Sequence, residues 1–297
     1  MILLTGATGT VGSRLLPKLI GSGKELRVLV RDPQDLGAAR MDVQLALGDL
    51  ADVNSLRHAC RGVHTVVHLA ATFRDQDVGD GGGSIEEIDG LATARLVRMA
   101  EQAGAERFIF FSSLGADELS GSRFLRAKAA AERDLVASGL ASTVFAPSAI
   151  HSDDSIWERL AAGLSTFPVS PLPSGTGHAM IQPVAAADVA AAVVAELERE
   201  PPAASEGSRR VELAGDETFS QFTYLADLAM RRRRRSVRLP IGLVERKMRL
   251  LSKFVSDGRL PTRDELDLLT CSLRSEGGSA GLRELGIDPQ RVDPLIR

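Results

Sequence analysis

The sequence has few of the residues that hold small or metal-dependent proteins together. It contains two cysteines, Cys60 and Cys271, which lie far apart and fit no metal-ligand spacing. We interpret both as small core residues and predict no metal site. Low cysteine content and the missing signal sequence together predict a reducing, cytoplasmic location.

Long apolar runs and an excess of positive charge are also missing. The longest apolar candidate, Val184 to Ala195, contains Asp188 and is too short to span a bilayer, so we interpret it as a packed helix. A formal net charge of −3 gives no general attraction to nucleic acid or to an anionic membrane. Aromatic residues make up 4% of the chain, so the basic run Arg231–Arg235 has no aromatic platform beside it. We therefore expect neither nucleic acid nor a membrane as a partner, and we expect the basic run to finish a helix and enter a strand.

Short apolar strands alternate with helical stretches through the first half of the chain. This alternation predicts βαβ units and a parallel sheet with helices on both faces, an α/β fold of the doubly wound Rossmann type. The predicted strands are Ile2–Thr5, Leu26–Val30, Val43–Leu47, Thr65–Leu69, Arg107–Phe111 and Ser142–Ala146, and the predicted helices are Ser13–Ile20, Val53–Cys60, Ile85–Ala103 and Phe124–Ser138.

Beyond Pro147 the sequence changes in character. Prolines and glycines between Pro168 and Gly177 predict a long irregular segment of the kind that forms substrate loops, and the tract Gly79–Gly83 predicts another loop. We assign residues 1–150 to a dinucleotide-binding domain, with 183–200 and 209–215 packing back on it, and 151–297 to a smaller substrate-binding region. The later predicted elements are the helices Pro183–Glu198, Phe219–Met230, Val244–Phe254 and Thr262–Leu273 and the strand Arg209–Leu213.

A glycine-rich loop, GATGTVG, joins the first strand to the first helix. In this context Gly6 permits the sharp turn, Gly9 lets the backbone approach a pyrophosphate, and Gly12 lets the helix pack closely on the sheet. Backbone amides at the helix N-terminus then face an anionic ligand. The loop predicts a dinucleotide site that includes Gly6, Thr8, Gly9, Thr10, Val11 and Gly12.

With its GxxGxxG spacing the chain resembles the extended and atypical members of the short-chain dehydrogenase/reductase superfamily. The resemblance covers most of the chain, is strongest in residues 1–150, and is closest to the branch with NmrA-like proteins and the nucleotide-binding accessory subunit of respiratory complex I. It implies that Asp49 and Leu50 lie at the adenine and that the backbone of Leu69, Ala70 and Ala71 passes the adenosine ribose. The motifs that carry it are Gly48-Asp49-Leu50, His68-Leu69-Ala70-Ala71, Phe111-Ser112-Ser113, Ala146-Pro147-Ser148, Gln182-Pro183-Val184, Asp188-Val189-Ala190 and Leu213-Ala214-Gly215.

The end of the second strand bears on the choice of dinucleotide. Arg31 follows the apolar run directly, and a guanidinium suits the 2′-phosphate of NADP(H). Arg14 could reinforce it from the first helix. Asp32, one residue further on, is the residue that would favour NAD(H). We favour NADP(H) over NAD(H).

The resemblance weakens at the catalytic positions. Members of the superfamily use a Ser, a Tyr and a Lys, with the Tyr four residues before the Lys, and the Lys also binds the nicotinamide ribose. Here Lys128 is present, which the resemblance implies is both a cofactor-binding and a catalytic residue, but Phe124 occupies the Tyr position. A phenyl ring can neither donate nor accept the proton. Leu114 occupies the place of the third small polar residue after the fifth strand, which leaves Ser112 at the cofactor and Ser113 as the serine candidate. His151, followed by two aspartates, is the third catalytic candidate, beside Lys128 and Ser113.

Three functions are compatible with these residues. The first is an NAD(P)(H)-dependent oxidoreductase, or an epimerase or dehydratase, that acts on a small organic substrate as a monomer or homodimer. The second is a non-catalytic NADP(H)-binding sensor or assembly protein, which the missing Tyr would permit. The third is a cofactor-assisted, non-redox enzyme of secondary metabolism.

Overall fold

The computed structural model describes residues 1–75, 83–166, 169–201, 207–251 and 260–296. Its centre is a seven-stranded sheet in the order β11-β6-β5-β4-β1-β2-β3, and every pairing within it is parallel. The strands are β1 (Ile2–Thr5), β2 (Leu26–Val30), β3 (Gln44–Leu47), β4 (Thr65–His68), β5 (Arg107–Phe111), β6 (Ala141–Pro147) and β11 (Arg209–Leu213). This confirms the predicted parallel sheet.

Helices cover both faces of the sheet. On one face α1 (Gly12–Gly21) and α6 (Ala186–Glu198) share an apolar cluster with β1 and β2, which Leu15, Leu19 and Val193 help to fill. On the other face α2 (Val53–Ala59), α3 (Thr93–Gln102) and α4 (Arg123–Val136) pack against the opposite side chains of the same strands. Strands buried on both faces form near-continuous apolar runs, as β1, β4 and β5 do. The doubly wound Rossmann-type fold is therefore confirmed.

The strand order reverses between β1 and β4, and this reversal positions the site. The connections that follow β1 and β4 leave the sheet in opposite directions and open a crevice beyond the carboxyl ends of these strands. Ligands of such sheets bind in this crevice. The loops after β1, β2 and β3 lie on one side of this point, and the loops after β4, β5 and β6 lie on the other.

Two local features of this half differ from the prediction. The segment Pro33–Met41 forms 3₁₀ turns with a kink at Gly37, whose φ is 54°. The helix predicted from Ile85 begins as a π-helix, Glu86–Ala92, before it continues as α3. A π-turn is wider than an α-turn and is frequent at functional sites. This one carries Ile88 and Asp89.

The segment after Pro147 is more regular than predicted. It contains α5 (Ile156–Leu164), and β8 (Val169–Pro173) lies inside the stretch that was predicted to be irregular, so that prediction was wrong there. The Ser155 side chain accepts from the backbone N–H of Glu158, a capping pattern that the sequence shows as S-x-x-E. The strand β8 tolerates its prolines because it forms a separate two-stranded parallel sheet with β13 (Arg235–Leu239), in which both strands are edge strands.

Short elements complete the C-terminal half. The basic run lies between α7 (Gln221–Arg231) and β13, in the place predicted for it. Predicted helix Val244–Phe254 corresponds to α8 (Ile241–Leu251), with Phe254 outside the described residues, and predicted helix Thr262–Leu273 shortens to α9 (Arg263–Leu268). The rest are β7 (Ile150–His151) paired with β10 (Val184–Ala185), β9 (Met180–Ile181) paired with β12 (Phe219–Ser220), and α10 (Ala280–Glu284).

Cysteine burial and helix length complete the description of the fold. Cys60 is buried, as expected of a core residue, whereas Cys271 is only partly buried. Of the tract Gly79–Gly83, only Gly83 lies within the described residues. No helix in the described ranges is long and apolar enough to cross a membrane.

Candidate functional site

The glycine loop leaves β1 in a conformation that glycine makes possible. Gly6 has a φ of 72°, and a Cβ at this position would lie 2.6 Å from the backbone nitrogen of Ala70. A Cβ at Gly12 would lie 2.1 Å from the carbonyl oxygen of Gly6. The loop after β1 therefore packs directly on the loop after β4, and no larger residue fits between them.

The first turn of α1 is suited to an anion. The helix has no side-chain hydrogen bond at its N-cap, Val11, and no acidic residue in its first turn. The backbone amides of Ser13 and Arg14 already donate to the carbonyls of Gly9 and Val11. The amides of Thr10, Val11 and Gly12 are therefore the ones open to a ligand. The helix dipole favours negative charge there. A Cβ at Gly9 would meet only the Gly6 carbonyl oxygen, at 3.4 Å, so the backbone stays open to the cleft. These features fit the pyrophosphate of a dinucleotide.

A cleft of about 430 Å³ runs along the carboxyl ends of the strands, a size typical of ligand sites. It brings together most of the residues that the sequence assigns to the site. From the predicted set the lining residues are Gly6, Thr8, Gly9, Thr10, Val11, Gly12, Arg31, Asp49, Leu50, Leu69, Ala70, Ala71, Ser112, Ser113 and Lys128.

Three of the predicted site residues are outside the described lining of the cleft. Arg14 donates to the Thr10 carbonyl at 2.6 Å and forms an ion pair with Asp154 at 3.1 Å. Asp32 accepts from the backbone N–H of Gln34 at 2.8 Å and so caps the 3₁₀ turn. Arg14 thus joins α1 to the loop before α5, and the Asp32 carboxylate is hydrogen-bonded to the backbone.

The third of these residues, His151, has a partner in the C-terminal half. Its Nδ1 lies 2.6 Å from the hydroxyl oxygen of Tyr224, which is fully buried and is the single tyrosine of the chain. Burial lowers the pKa of His151, and the nearby Arg231 adds to this shift, whereas the carboxylates of Glu158 and Asp153 oppose it. Burial also raises the pKa of Tyr224 above its usual range. The pair therefore stays neutral near pH 7 and links β7 to α7.

The cleft also has lining residues that the sequence did not suggest. Asp35 joins Arg31 in the half next to β2, and a set of apolar residues lines the other half. Those residues come from separate elements, and no local motif connects them, so sequence patterns could not single them out. They include Phe73, Ile88, Trp157, Leu268 and Leu273.

Lys128 is the buried cation of the site. It is 1% exposed, and its Nζ lies 2.9 Å from Oδ1 of Asp89, which is fully buried. The other carboxylate oxygen of Asp89 accepts from the Thr72 amide at 2.8 Å. Burial raises the pKa of Asp89, while Lys128 and the Thr72 amide oppose that shift. The ammonium also lies 5.5 Å from the centre of the Phe124 ring, in the place where a tyrosine would stand.

His68, at the end of β4, lies near this ion pair. Its ring nitrogens contact the hydroxyl oxygens of Thr5 at 2.6 Å and Thr93 at 2.9 Å. Burial, and then the charge of Lys128, lower the pKa of His68 to about 3. His68 is therefore a neutral bridge between β1, β4 and α3 under the cleft.

The serines of the cleft have internal partners. Ser113 donates to the Leu114 carbonyl at 3.0 Å, and Ser148 donates to the Leu273 carbonyl at 2.6 Å. Ser112 donates to the carboxylate of Glu132 in α4. These hydroxyls fix the loops after β5 and β6 in place. A catalytic role for Ser113 would require its hydroxyl to leave the Leu114 carbonyl.

A metal cluster is not evident at the site. The described ranges contain no group of three or more histidine, cysteine or acidic side chains placed to hold a metal ion.

The sequence around this cleft matches a known protein family. The profile of a family described as NAD(P)H-binding matches residues 6–200, which include every loop of the glycine-lined half. Among curated relatives, sterol demethylase protein B of Methylococcus capsulatus is 31% identical over 50% of this chain and 51% of its own length. Subunit 9 of the NADH dehydrogenase [ubiquinone] 1 alpha subcomplex, a mitochondrial protein of Arabidopsis thaliana, is 30% identical over 72% of this chain and 54% of its own. The chain spans about half the length of the curated relatives it matches.

Solved structures agree on the fold. An NADPH-dependent quinone oxidoreductase from Escherichia coli has a TM-score of 0.69 and 20% identity, with 98% of this chain and 96% of that chain covered. The UDP-glucose 4-epimerase of Thermus thermophilus, in complex with NAD, has a TM-score of 0.67 and 19% identity over 99% and 95%. The chain belongs to the NAD(P)H-binding family, which agrees with the resemblance of its sequence to the atypical short-chain dehydrogenases/reductases.

Proposed function

We propose that this chain is an NADP(H)-dependent oxidoreductase that acts on a small organic carbonyl or hydroxyl compound. The observation that carries the proposal is the buried Lys128–Asp89 ion pair in the wall of the cleft. Burying two charges costs several kcal/mol each before their attraction is counted, and such groups in a cleft concentrate at functional sites. The ammonium lies 5.5 Å from the centre of the ring that stands in the tyrosine position, where it would act on both the nicotinamide end of the cofactor and a substrate.

Each half of the cleft would have its own task. The amides of Thr10, Val11 and Gly12 would hold the pyrophosphate, and the residues after β2 and β3 would hold the adenosine. Lys128 would orient the ligand at the other end through its ammonium, which Asp89 keeps in position. The bound nicotinamide would supply or accept the hydride. Because Phe124 has no hydroxyl, the proton that the usual tyrosine delivers would come from water instead.

The preference for NADP(H) rests on the end of β2. Arg31 lines the cleft, whereas the carboxylate of Asp32 is engaged by Gln34. Arg31→Ala should weaken NADPH binding about tenfold, the effect of one charge-assisted hydrogen bond, and change NADH binding little. Arg40→Ala removes an exposed arginine of the same segment outside the described lining, and serves as the matched control. Equal binding of NADH and NADPH by the unaltered protein would contradict the preference.

A second candidate function is a cofactor-binding sensor. Phe124 favours it: the ring packs on Phe73 with 4.5 Å between ring centres, so an apolar contact occupies the place of the proton donor. A sensor would bind NADPH tightly and would not oxidise it with any carbonyl compound.

Measurement of NADPH consumption across a panel of aldehydes, ketones and quinones separates the two candidates. The oxidoreductase should consume NADPH, and Lys128→Met should reduce kcat/KM at least about a hundredfold, within the range of a positioned charged group. Lys24→Met, which replaces an exposed lysine, is the matched control and should leave activity unchanged. No consumption with any compound, together with tight NADPH binding, would favour the sensor.

Phe124→Tyr gives an independent result. A hydroxyl at this position would stand beside Lys128, in the spacing that the superfamily uses. An increase in kcat with retained NADPH affinity would indicate that the cleft already holds cofactor and substrate for reaction. A variant that binds NADPH but reduces nothing would contradict the oxidoreductase.

A further inference from the structure

The two halves of the cleft differ in charge. Among the described residues that line it, the charged side chains are Arg31, Asp35, Asp49 and Lys128. The first three belong to the segments after β2 and β3, on the adenosine side of the switch point. In the half formed by the loops after β4, β5 and β6, Lys128 is the single charged side chain of the described lining.

The walls of this second half are apolar and aromatic. Most of the wall residues belong to one buried cluster that continues into the C-terminal region. Close packing within this cluster fixes the positions of the wall side chains. Phe73 and Phe124 pack together on one side. The principal wall residues are Phe73, Ile88, Phe124, Trp157, Leu268 and Leu273.

Three serine hydroxyls of the described lining already have partners. The hydroxyls of Ser112, Ser113 and Ser148 donate to a carboxylate and to two backbone carbonyls. The protons of these hydroxyls are therefore not available to a ligand, and a ligand with many hydroxyl groups would bury oxygens here without a donor, which costs free energy for each unpaired group.

The arginines around this half are also paired. Arg74 and Arg159 both bind the fully buried carboxylate of Glu265, in α9. Arg123, at the start of α4, contacts three carboxylates, those of Asp75, Glu86 and Asp264. A diphosphate is bound well by guanidinium groups that are directed at it. These guanidinium groups are instead directed at carboxylates.

We propose that this half of the cleft binds an uncharged, flat aromatic carbonyl compound and excludes sugar nucleotides. The ring lies against the aromatic walls, and the carbonyl oxygen accepts a hydrogen bond from the Lys128 ammonium. This inference rests on the proposed function, because it assigns a substrate class to the same site. The fold alone does not decide the point, since an NAD-bound UDP-glucose epimerase and a quinone oxidoreductase both share it.

The chain provides its own reporter of binding. Trp157 is the single tryptophan of the sequence and lines the cleft, so intrinsic emission reports on this wall. We would titrate the protein with NADPH, and then titrate the NADPH complex with 2-acetylnaphthalene or with UDP-glucose. Calorimetry under the same conditions gives each Kd without optical interference.

The expected result is quenching of Trp157 by NADPH, a further change with 2-acetylnaphthalene, and at least about tenfold weaker binding of UDP-glucose. Binding of UDP-glucose as tight as that of the ketone would overturn the inference. Absence of ketone binding to an intact NADPH complex would also overturn it and leave the proposed function standing. Failure to bind NADPH would instead overturn the proposed function.

A pair of variants tests the wall itself. Ile88 lines the cleft, and Leu91 lies on the same π-helix but is 52% exposed and outside the described lining. Ile88→Ala should weaken 2-acetylnaphthalene binding about fivefold through lost apolar contact, whereas Leu91→Ala should change it less than about twofold. Thermal unfolding checks that both variants fold. Equal effects of the two substitutions would overturn the assignment of this wall.

Discussion

Replacing Asp89 by asparagine removes the counter-ion of Lys128 and keeps an oxygen that can accept from the Thr72 amide. The change therefore isolates the ion pair from the neighbouring hydrogen bond. The side chains of Lys128 and Asp89 are 2% and 0% exposed, so water compensates poorly for the lost partner. We expect Asp89→Asn to lower the free energy of unfolding by about 3 kcal/mol, at the lower end of the range for breaking a buried pair.

The magnitude follows from the distance. Two unit charges 2.9 Å apart attract by about 6 kcal/mol at an effective dielectric constant of about 20. Much of this attraction offsets the cost of removing both charges from water, so the net contribution of the pair is small. Removal of one charge loses the attraction and leaves the other charge buried. Lys128→Met should therefore also destabilise the protein, and the double variant should cost less than the sum of the two.

Urea unfolding of the two single variants and the double variant measures this coupling. We expect a coupling free energy of about 2 kcal/mol or more. The exposed pair of Arg133 and Glu118, whose side chains are 62% and 59% exposed, gives the control, because Glu118→Gln should change stability by less than about 0.5 kcal/mol. Single effects that add within about 0.5 kcal/mol would refute the reasoning, since independent sites behave in that way.

Three further predictions concern stability. The folded pKa of His68, about 3, lies below its unfolded value of about 6.5, so the neutral ring contributes fully to the free energy of unfolding above pH 6.5. As the pH falls from 6.5 toward 3, this contribution is lost by about 1.4 kcal/mol per pH unit. His68→Gln should therefore flatten the dependence of the unfolding free energy on pH in that range. Gly6→Ala should destabilise the protein by at least about 2 kcal/mol, because its Cβ meets the Ala70 nitrogen, whereas Gly21→Ala, with nothing within 4 Å, should be neutral or raise the unfolding midpoint. Glu265→Gln should cost about 3 kcal/mol in urea unfolding, since two arginines share this buried carboxylate, and an unchanged midpoint would contradict that assignment.

Local sequence was sufficient for the nucleotide half of the fold. The order of strands and helices through Pro147, the parallel sheet and the glycine loop all follow from short-range patterns, because buried parallel strands and helix N-termini impose their residue types locally. The capping pattern at Ser155 was also local, and it marked the helix that precedes the stretch of prolines and glycines. Element boundaries differed from the predicted ones by a few residues, and no sequence pattern predicted the π-turn at Glu86–Ala92.

The sequence by itself predicted most of the residues that line the cleft, and it showed that Phe124 stands where the superfamily that the chain resembles has a tyrosine. Tertiary structure decided what those residues contact. It paired Lys128 with Asp89, engaged Asp32 and Arg14 with other partners, and assembled an apolar wall from Phe73, Ile88, Trp157, Leu268 and Leu273. The physical reason is the distance in sequence between the residues that interact. A loop motif acts through the backbone of consecutive residues, whereas the wall and the ion pair join side chains that only the packed fold brings together.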